Sequence, residues 1–168
     1  QPVGPRLVGE SGFGAMATDT LIDLHPDTIY ERIKRKYHQE YGRLTPLEIT
    51  RERRATDDEL CHWMGFLQEV FPGFKSDGCT CAPSLTARAA CQWHDLLYFL
   101  GVSRRLADFE LLRWMQSIDC HGTYLSWMIH GAWARIYYYC VRPFGWIPYR
   151  SHRRRGNPPS IPAWIRVR

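Results

Sequence analysis

The chain has 168 residues, 45% of them hydrophobic, 14% aromatic and 23% charged, with a net charge of +5. That length suits one domain with tails, and the apolar content excludes a disordered or fibrous chain and provides for a buried core. Charge is spread unevenly. Arg150 to Arg168 holds six arginines and no acid, so that end will seek an anionic surface: nucleic acid, lipid headgroups or an acidic partner protein.

Residues 1–20 are rich in Gly and Pro without periodicity and read as an extended arm. The chain begins at Gln1 and its first methionine is Met16, so either translation starts there or residues have been removed ahead of Gln1. No basic start followed by an apolar leader run is visible. Six cysteines (Cys61, Cys79, Cys81, Cys91, Cys120, Cys140) are present; their pairing cannot be read from sequence, and reduced thiols are the expectation. Cys79-x-Cys81 with Cys91 and Cys120-His121 matches no short-hairpin zinc pattern. There is no internal repeat and no glycine-rich phosphate loop.

His25-Pro26-Asp27 opens a helix to about Tyr41, with Pro26 in the first turn and Asp27 at the positive end of the dipole. Its apolar side (Ile29, Ile33, Tyr37, Tyr41) is a single stripe. Thr45-Pro46-Leu47-Glu48 begins a short second helix. Thr56-Asp57-Asp58-Glu59 is a capping box that starts a helix to about Val70, with Leu60, Met64, Leu67 and Val70 inward. Phe71-Pro72-Gly73 ends it.

Residues 84–100 and 103–118 then read as two helices joined by a tight turn at Gly101-Val102-Ser103. Ala87, Ala90, Cys91, His94, Leu97 and Tyr98 recur at helical spacing on the first, and Arg104, Asp108, Leu111, Met115 and Ile118 on the second. His94 and Asp108 stand at nearly equal distances from the turn. At 1.5 Å rise per residue a folded-back hairpin brings them within roughly 3 Å of the same height. A buried carboxylate facing a buried imidazole orients it and raises its basicity.

Gly122 marks a break, and residues 123–141 form a long aromatic helix (Tyr124, Trp127, Trp133, Tyr137, Tyr138, Tyr139). Its length approaches a membrane span, but His130 and Arg135 near its middle favour a core helix, because a lone arginine in lipid costs several kcal/mol. Arg142-Pro143 is expected to terminate it. Residues 146–168 form a basic Pro- and Trp-containing arm around Arg153, Arg154 and Arg155. Ordering such arms costs about 1–2 kcal/mol per residue, so something must bind them. The fold class expected is mainly α, with four or five helices around the central hairpin. Residues 21–145 are the helical domain.

His94-Asp95-x-x-Tyr98 with a later Asp on an antiparallel helix resembles the core of the secreted phospholipase A2 superfamily. The layout is more similar to two viral branches. One is the phospholipase domain of parvovirus capsid proteins. The other is a family of phage-encoded domains of unknown function, whose pattern is carried here by Asp77-Gly78-Cys79-Thr80, Ala89-Ala90, His94-Asp95-Leu96-Leu97-Tyr98, Ser103-Arg104 and Ala107-Asp108. The likeness covers about residues 71–145. It implies that His94 activates a water, that Asp108 and Tyr98 hold His94, and that Asp95 binds calcium. The family's calcium loop is glycine-rich; the matching stretch here has Gly73 and Gly78, with Lys75 between them, and lacks the family's double cysteine before the His. Asp77 and Asp95 would supply carboxylates, and backbone near Gly73 and Gly78 carbonyls, toward the about six to eight oxygens calcium takes.

Three readings follow. The first is a virion-associated, calcium-assisted lipid esterase. The second is a non-catalytic tail, neck or capsid subunit, bound to other virion proteins through its arms. The third binds nucleic acid through Arg153, Arg154 and Arg155. An anionic membrane surface is a further expected partner. The expected location is the virion, or the host cytoplasm during assembly. Plainer readings stand beside these. His94 is otherwise a core histidine satisfied by Asp108 or Tyr98. Asp108 is otherwise an ion pair with Arg104 one turn earlier. Asp95 is otherwise a surface carboxylate or bonded to the preceding loop, and Tyr98 a packing residue whose hydroxyl needs a partner. His62, His121 and His130 have no partner assigned.

Overall fold

A computed structural model of the protein describes residues 25–76, 87–118, 124–144 and 161–165, including the side chains of residues 128, 129 and 131–139 in the last helix. These residues form six helices and, among themselves, no strand: α1 (Pro26–Tyr41), α2 (Pro46–Ile49), α3 (Asp57–Val70), α4 (Arg88–Phe99), α5 (Arg104–Ser117) and α6 (Tyr124–Phe144). The mainly helical class is as expected, with one helix more than the upper count. The arm over residues 1–20 and Arg153, Arg154 and Arg155 lie outside the described residues.

Local chemistry sets the helix ends. Pro26 opens α1, and Gly42 closes it in the left-handed region (φ 61°), donating to the His38 carbonyl at 2.9 Å. Thr56 and Glu59 cap α3 reciprocally, and Thr45 and Glu48 do the same for α2. The second box was overlooked in the sequence although the same Thr-x-x-Glu signal is there. α4 starts four residues later than expected, at Arg88. α6 runs to Phe144, one residue past Pro143, whose missing N–H fits a helix that ends there.

The core is aromatic. Tyr30 meets Trp93 and Trp114 edge-on, with centroids 5.4 and 4.9 Å apart, and Tyr37 meets Trp63 and Phe66 at 5.0 and 5.1 Å. Two expectations change here. On α3 the fully buried side chains include Trp63 and Phe66, while Met64 and Val70 are only partly buried. On α1 Tyr30 is buried and Tyr41 lies at the surface. Ile29, Ile33 and Tyr37 on α1 and Leu60 and Leu67 on α3 are buried as expected, and the large rings join them.

Among its described side chains α6 joins the core by one side only. It packs on α5 through Ala134 and Tyr137, while Met128, Ile129, Trp133, Ile136 and Tyr139 remain exposed. No helix among the described residues is long and apolar enough to cross a membrane.

Near the end of the chain, residues 161–165 return to the body. Ile165 is fully buried, Arg32 donates to the carbonyls of Trp164 and Ile165 at 3.0 and 3.2 Å, and the Lys36 ammonium stands 5.7 Å from the Trp164 ring centre. Ile165→Ala should therefore cost about 2–4 kcal/mol in a urea melt, whereas a free tail would leave the midpoint unchanged.

Candidate functional site

The site is built by the α4–α5 hairpin, and its turn sets the register. Gly101 takes φ 77°, a left-handed conformation that suits glycine. Its N–H bonds the Tyr98 carbonyl at 3.1 Å, and that of Val102 bonds the Leu97 carbonyl at 3.0 Å. This pair is a Schellman closure, with Val102 and Leu97 both buried beneath it. The chain reverses there and α5 runs back along α4.

His94 and Tyr98 share one face of α4, a turn apart; Arg104 and Asp108 share one face of α5. The hairpin brings all four together. His94 Nε2 lies 3.1 Å from Asp108 Oδ1, and the Tyr98 hydroxyl donates to the same oxygen. Arg104 Nε approaches Asp108 Oδ2 at 3.6 Å, an ion-pair contact longer than a hydrogen bond. Asp108 is 0% exposed and His94 7%. The plainer ion pair expected for Asp108 thus exists alongside the His contact. The rings of His94 and Tyr98 are 4.2 Å apart, centre to centre.

The tautomer of His94 follows from these partners. Asp108 can only accept, so Nε2 carries the proton and Nδ1 keeps its lone pair. Burial pulls the imidazole pKa down. The hydrogen bond to Asp108, and then the influence of Asp95, more than offset it, and the His94 pKa rises above its ordinary value. The Tyr98 hydroxyl is pushed upward by burial and by Asp108, which keeps it a donor.

Asp95, next in sequence, places Oδ1 3.9 Å from His94 Nδ1. Its Oδ2 accepts from the Ser76 hydroxyl at 2.5 Å, a bond to the preceding loop. Ser76 was not anticipated: it lies far upstream outside any periodic segment, so only folding reveals the contact. Of the remaining calcium ligands expected, Gly73 occupies the turn after α3 with φ 87°, while Asp77 and Gly78 lie outside the described residues. Among the described residues no group of three or more His, Cys, Asp or Glu side chains could hold a metal. Asp95, with one oxygen engaged by Ser76, is the one carboxylate of the expected calcium set among the described residues, and calcium takes about six to eight oxygens.

The cysteine expectation is corrected. Cys91, one turn before His94, is disulfide-bonded, and Cys61 is a free surface thiol. The partner of Cys91 lies outside the described residues, as do Cys79, Cys81, Cys120, His121 and the side chains of His130 and Cys140. A half-cystine cannot ligate zinc, which removes Cys91 from the imagined zinc set. His62, left without a partner in the sequence, contacts the Tyr37 hydroxyl through Nδ1 at 2.8 Å. His38 pairs with Glu48 at 2.8 Å.

Three stability outcomes follow. Tyr98→Phe removes one charge-assisted bond and should cost about 1.5–3 kcal/mol. Asp108→Ala leaves its partners uncompensated and should cost about 3–5 kcal/mol; equal denaturation midpoints would show the cluster to be inert. Reducing the Cys91 disulfide should lower stability by about 2–5 kcal/mol, read as a drop in Tm on adding dithiothreitol.

A scan of protein-family models, a search of curated proteins and a search of solved structures each return no match, so the meaning of this buried His–Asp–Tyr–Arg cluster is carried by its geometry and by the likeness of its motif.

Proposed function

We propose that this chain is a virion-associated protein of the phage type whose core hydrolyses a lipid ester, with a phospholipase A2-like arrangement of the α4–α5 hairpin. The observation that carries the reading is the 3.1 Å contact between His94 Nε2 and Asp108 Oδ1, because it leaves Nδ1 as a base. The virion setting rests on the likeness of the motif to the two viral families.

In this reading Nδ1 takes a proton from a water while the water oxygen bonds to the acyl carbon. The ester C–O bond then breaks, and the proton passes from Nδ1 to the departing alkoxide. Fatty acid and lysolipid are released. Asp108 stabilises the imidazolium in between, and Tyr98 holds the Asp108 oxygen that faces it. Asp95 stands beside the base. No step is routed through a metal; calcium enters the test as a variable.

A second reading is favoured by the complete burial of Asp108. The cluster then only locks the hairpin of a structural virion subunit.

The test is fatty-acid release from anionic phospholipid vesicles, with calcium and with a chelator. His94→Gln should lower the rate at least about 100-fold. Equal rates for wild type and variant sink the esterase and leave the structural reading. The pH profile carries a sign. The base works only when neutral, so activity falls as pH drops through the raised pKa of His94. The acid limb should sit above the ordinary histidine value of about 6.5, and Asp108→Asn should move it to lower pH. Stability runs the other way: with a raised folded pKa, the His94⁺–Asp108 pair contributes fully below the unfolded value, and its contribution is lost as pH rises through the folded one.

A further inference from the structure

We infer that the outer face of α6 is a docking surface for an anionic lipid layer. At about 100° per residue, Met128, Ile129, Trp133, Arg135, Ile136 and Tyr139 fall on one arc of about 160°, and each of these positions is exposed. Ala134 and Tyr137, which anchor the helix to the body, lie outside that arc and are buried. Seven of the nine large exposed hydrophobic side chains among the described residues belong to α5 and α6. A helix face this apolar is unusual on a soluble surface and signals a binding site.

The chemistry of the face selects the occupant. Trp133 is 47% and Tyr139 70% exposed; indole and phenol place an apolar body and a polar tip at the same level, as a headgroup boundary requires. Arg135 stands within the arc, and α6 contains no acid. From Cys120 to Arg168 the chain holds eight arginines and not one Asp or Glu, while all seventeen acids precede Cys120. The apolar face lies in the acid-free part of the sequence, and the exposed Arg135 within it is complementary to phosphate-bearing headgroups. α6 is too polar to cross a membrane, which suits a helix lying along one, immersed by its exposed side. As the route by which the proposed esterase reaches its substrate, this inference rests on that reading; its observations do not involve the His94 cluster.

The experiment is flotation of the full chain with phosphatidylcholine vesicles and with vesicles that also contain phosphatidylglycerol. Wild type should float with the second and far less with the first. Trp133→Ala should weaken partitioning about tenfold, Arg135→Gln should weaken it about fivefold, and both should keep the wild-type circular dichroism melt. Ile129→Trp should tighten binding, which keeps the idea testable if a loss variant misfolds. Absence of binding by the wild type overturns the inference, as does binding unchanged in all three variants. A dimer in sedimentation velocity that Trp133→Ala dissociates, with vesicle binding unaffected, assigns the face to a second copy and overturns it too. The two proposals separate cleanly. His94→Gln should still float while releasing no fatty acid, and Trp133→Ala should still cleave a soluble short-chain ester. A wild type that floats but hydrolyses nothing ends the esterase and leaves the lipid surface standing.

Discussion

The structure turns on a carboxylate with no access to water. Asp108 is wholly enclosed, and an ionised carboxylate survives there only if its charge is met and its oxygens are approached by donors. The His94 ring and the Tyr98 hydroxyl meet one oxygen, and Arg104 stands near the other. Two partners come from α4 and one from α5, so the cluster can form in only one register of the hairpin. A slip along either helix would strand the charge. The same demand accounts for the turn: Gly101 takes a backbone conformation that places α5 back along α4 without a spacer loop.

Around that hairpin the remaining helices form an aromatic shell. Tyr30 bridges Trp93 on α4 and Trp114 on α5, and its hydroxyl reaches Thr45, the capping residue of α2, at 2.8 Å. One ring thus ties the first helix to both members of the pair. Residues 161–165 close against α1 from the outside. The disulfide at Cys91 adds a covalent constraint one turn from His94. Such bonds persist in oxidising surroundings, a condition met outside a cell more readily than in a reducing cytoplasm.

The His94 cluster has two consequences that pull in opposite directions. The acceptors that raise the imidazole pKa favour the charged form, which strengthens the hairpin, whereas a general base is useful only in its neutral form. A residue serving only as a lock gains from the first and has no need of the second. Burial opposes charging, but the acceptors around the ring outweigh it.

Much was legible in the sequence because it depends on neighbours along the chain. Helical spacing, the Thr56–Glu59 box and the Gly101 turn are local, and the hairpin's symmetry about that turn was enough to pair His94 with Asp108. What remained hidden depends on segments far apart in the chain. Ser76 reaches Asp95 from a non-periodic loop, and Ile165 is buried where residues 161–165 meet α1. On α3 the buried face is Leu60, Trp63, Phe66 and Leu67, with Met64 and Val70 at its edge; several stripes share that helical spacing, and which one turns inward is set by the helices packed against it. α6 shows the limit most clearly: its aromatics predict a core helix, and among its described side chains Ala134 and Tyr137 are buried while Met128, Ile129, Trp133, Ile136 and Tyr139 are exposed. By itself the sequence determined the helices, their caps and the pairing across one tight turn, all set by local backbone and spacing. Tertiary structure alone decided which faces meet water, because burial is a property of what packs opposite a residue and not of the residue itself.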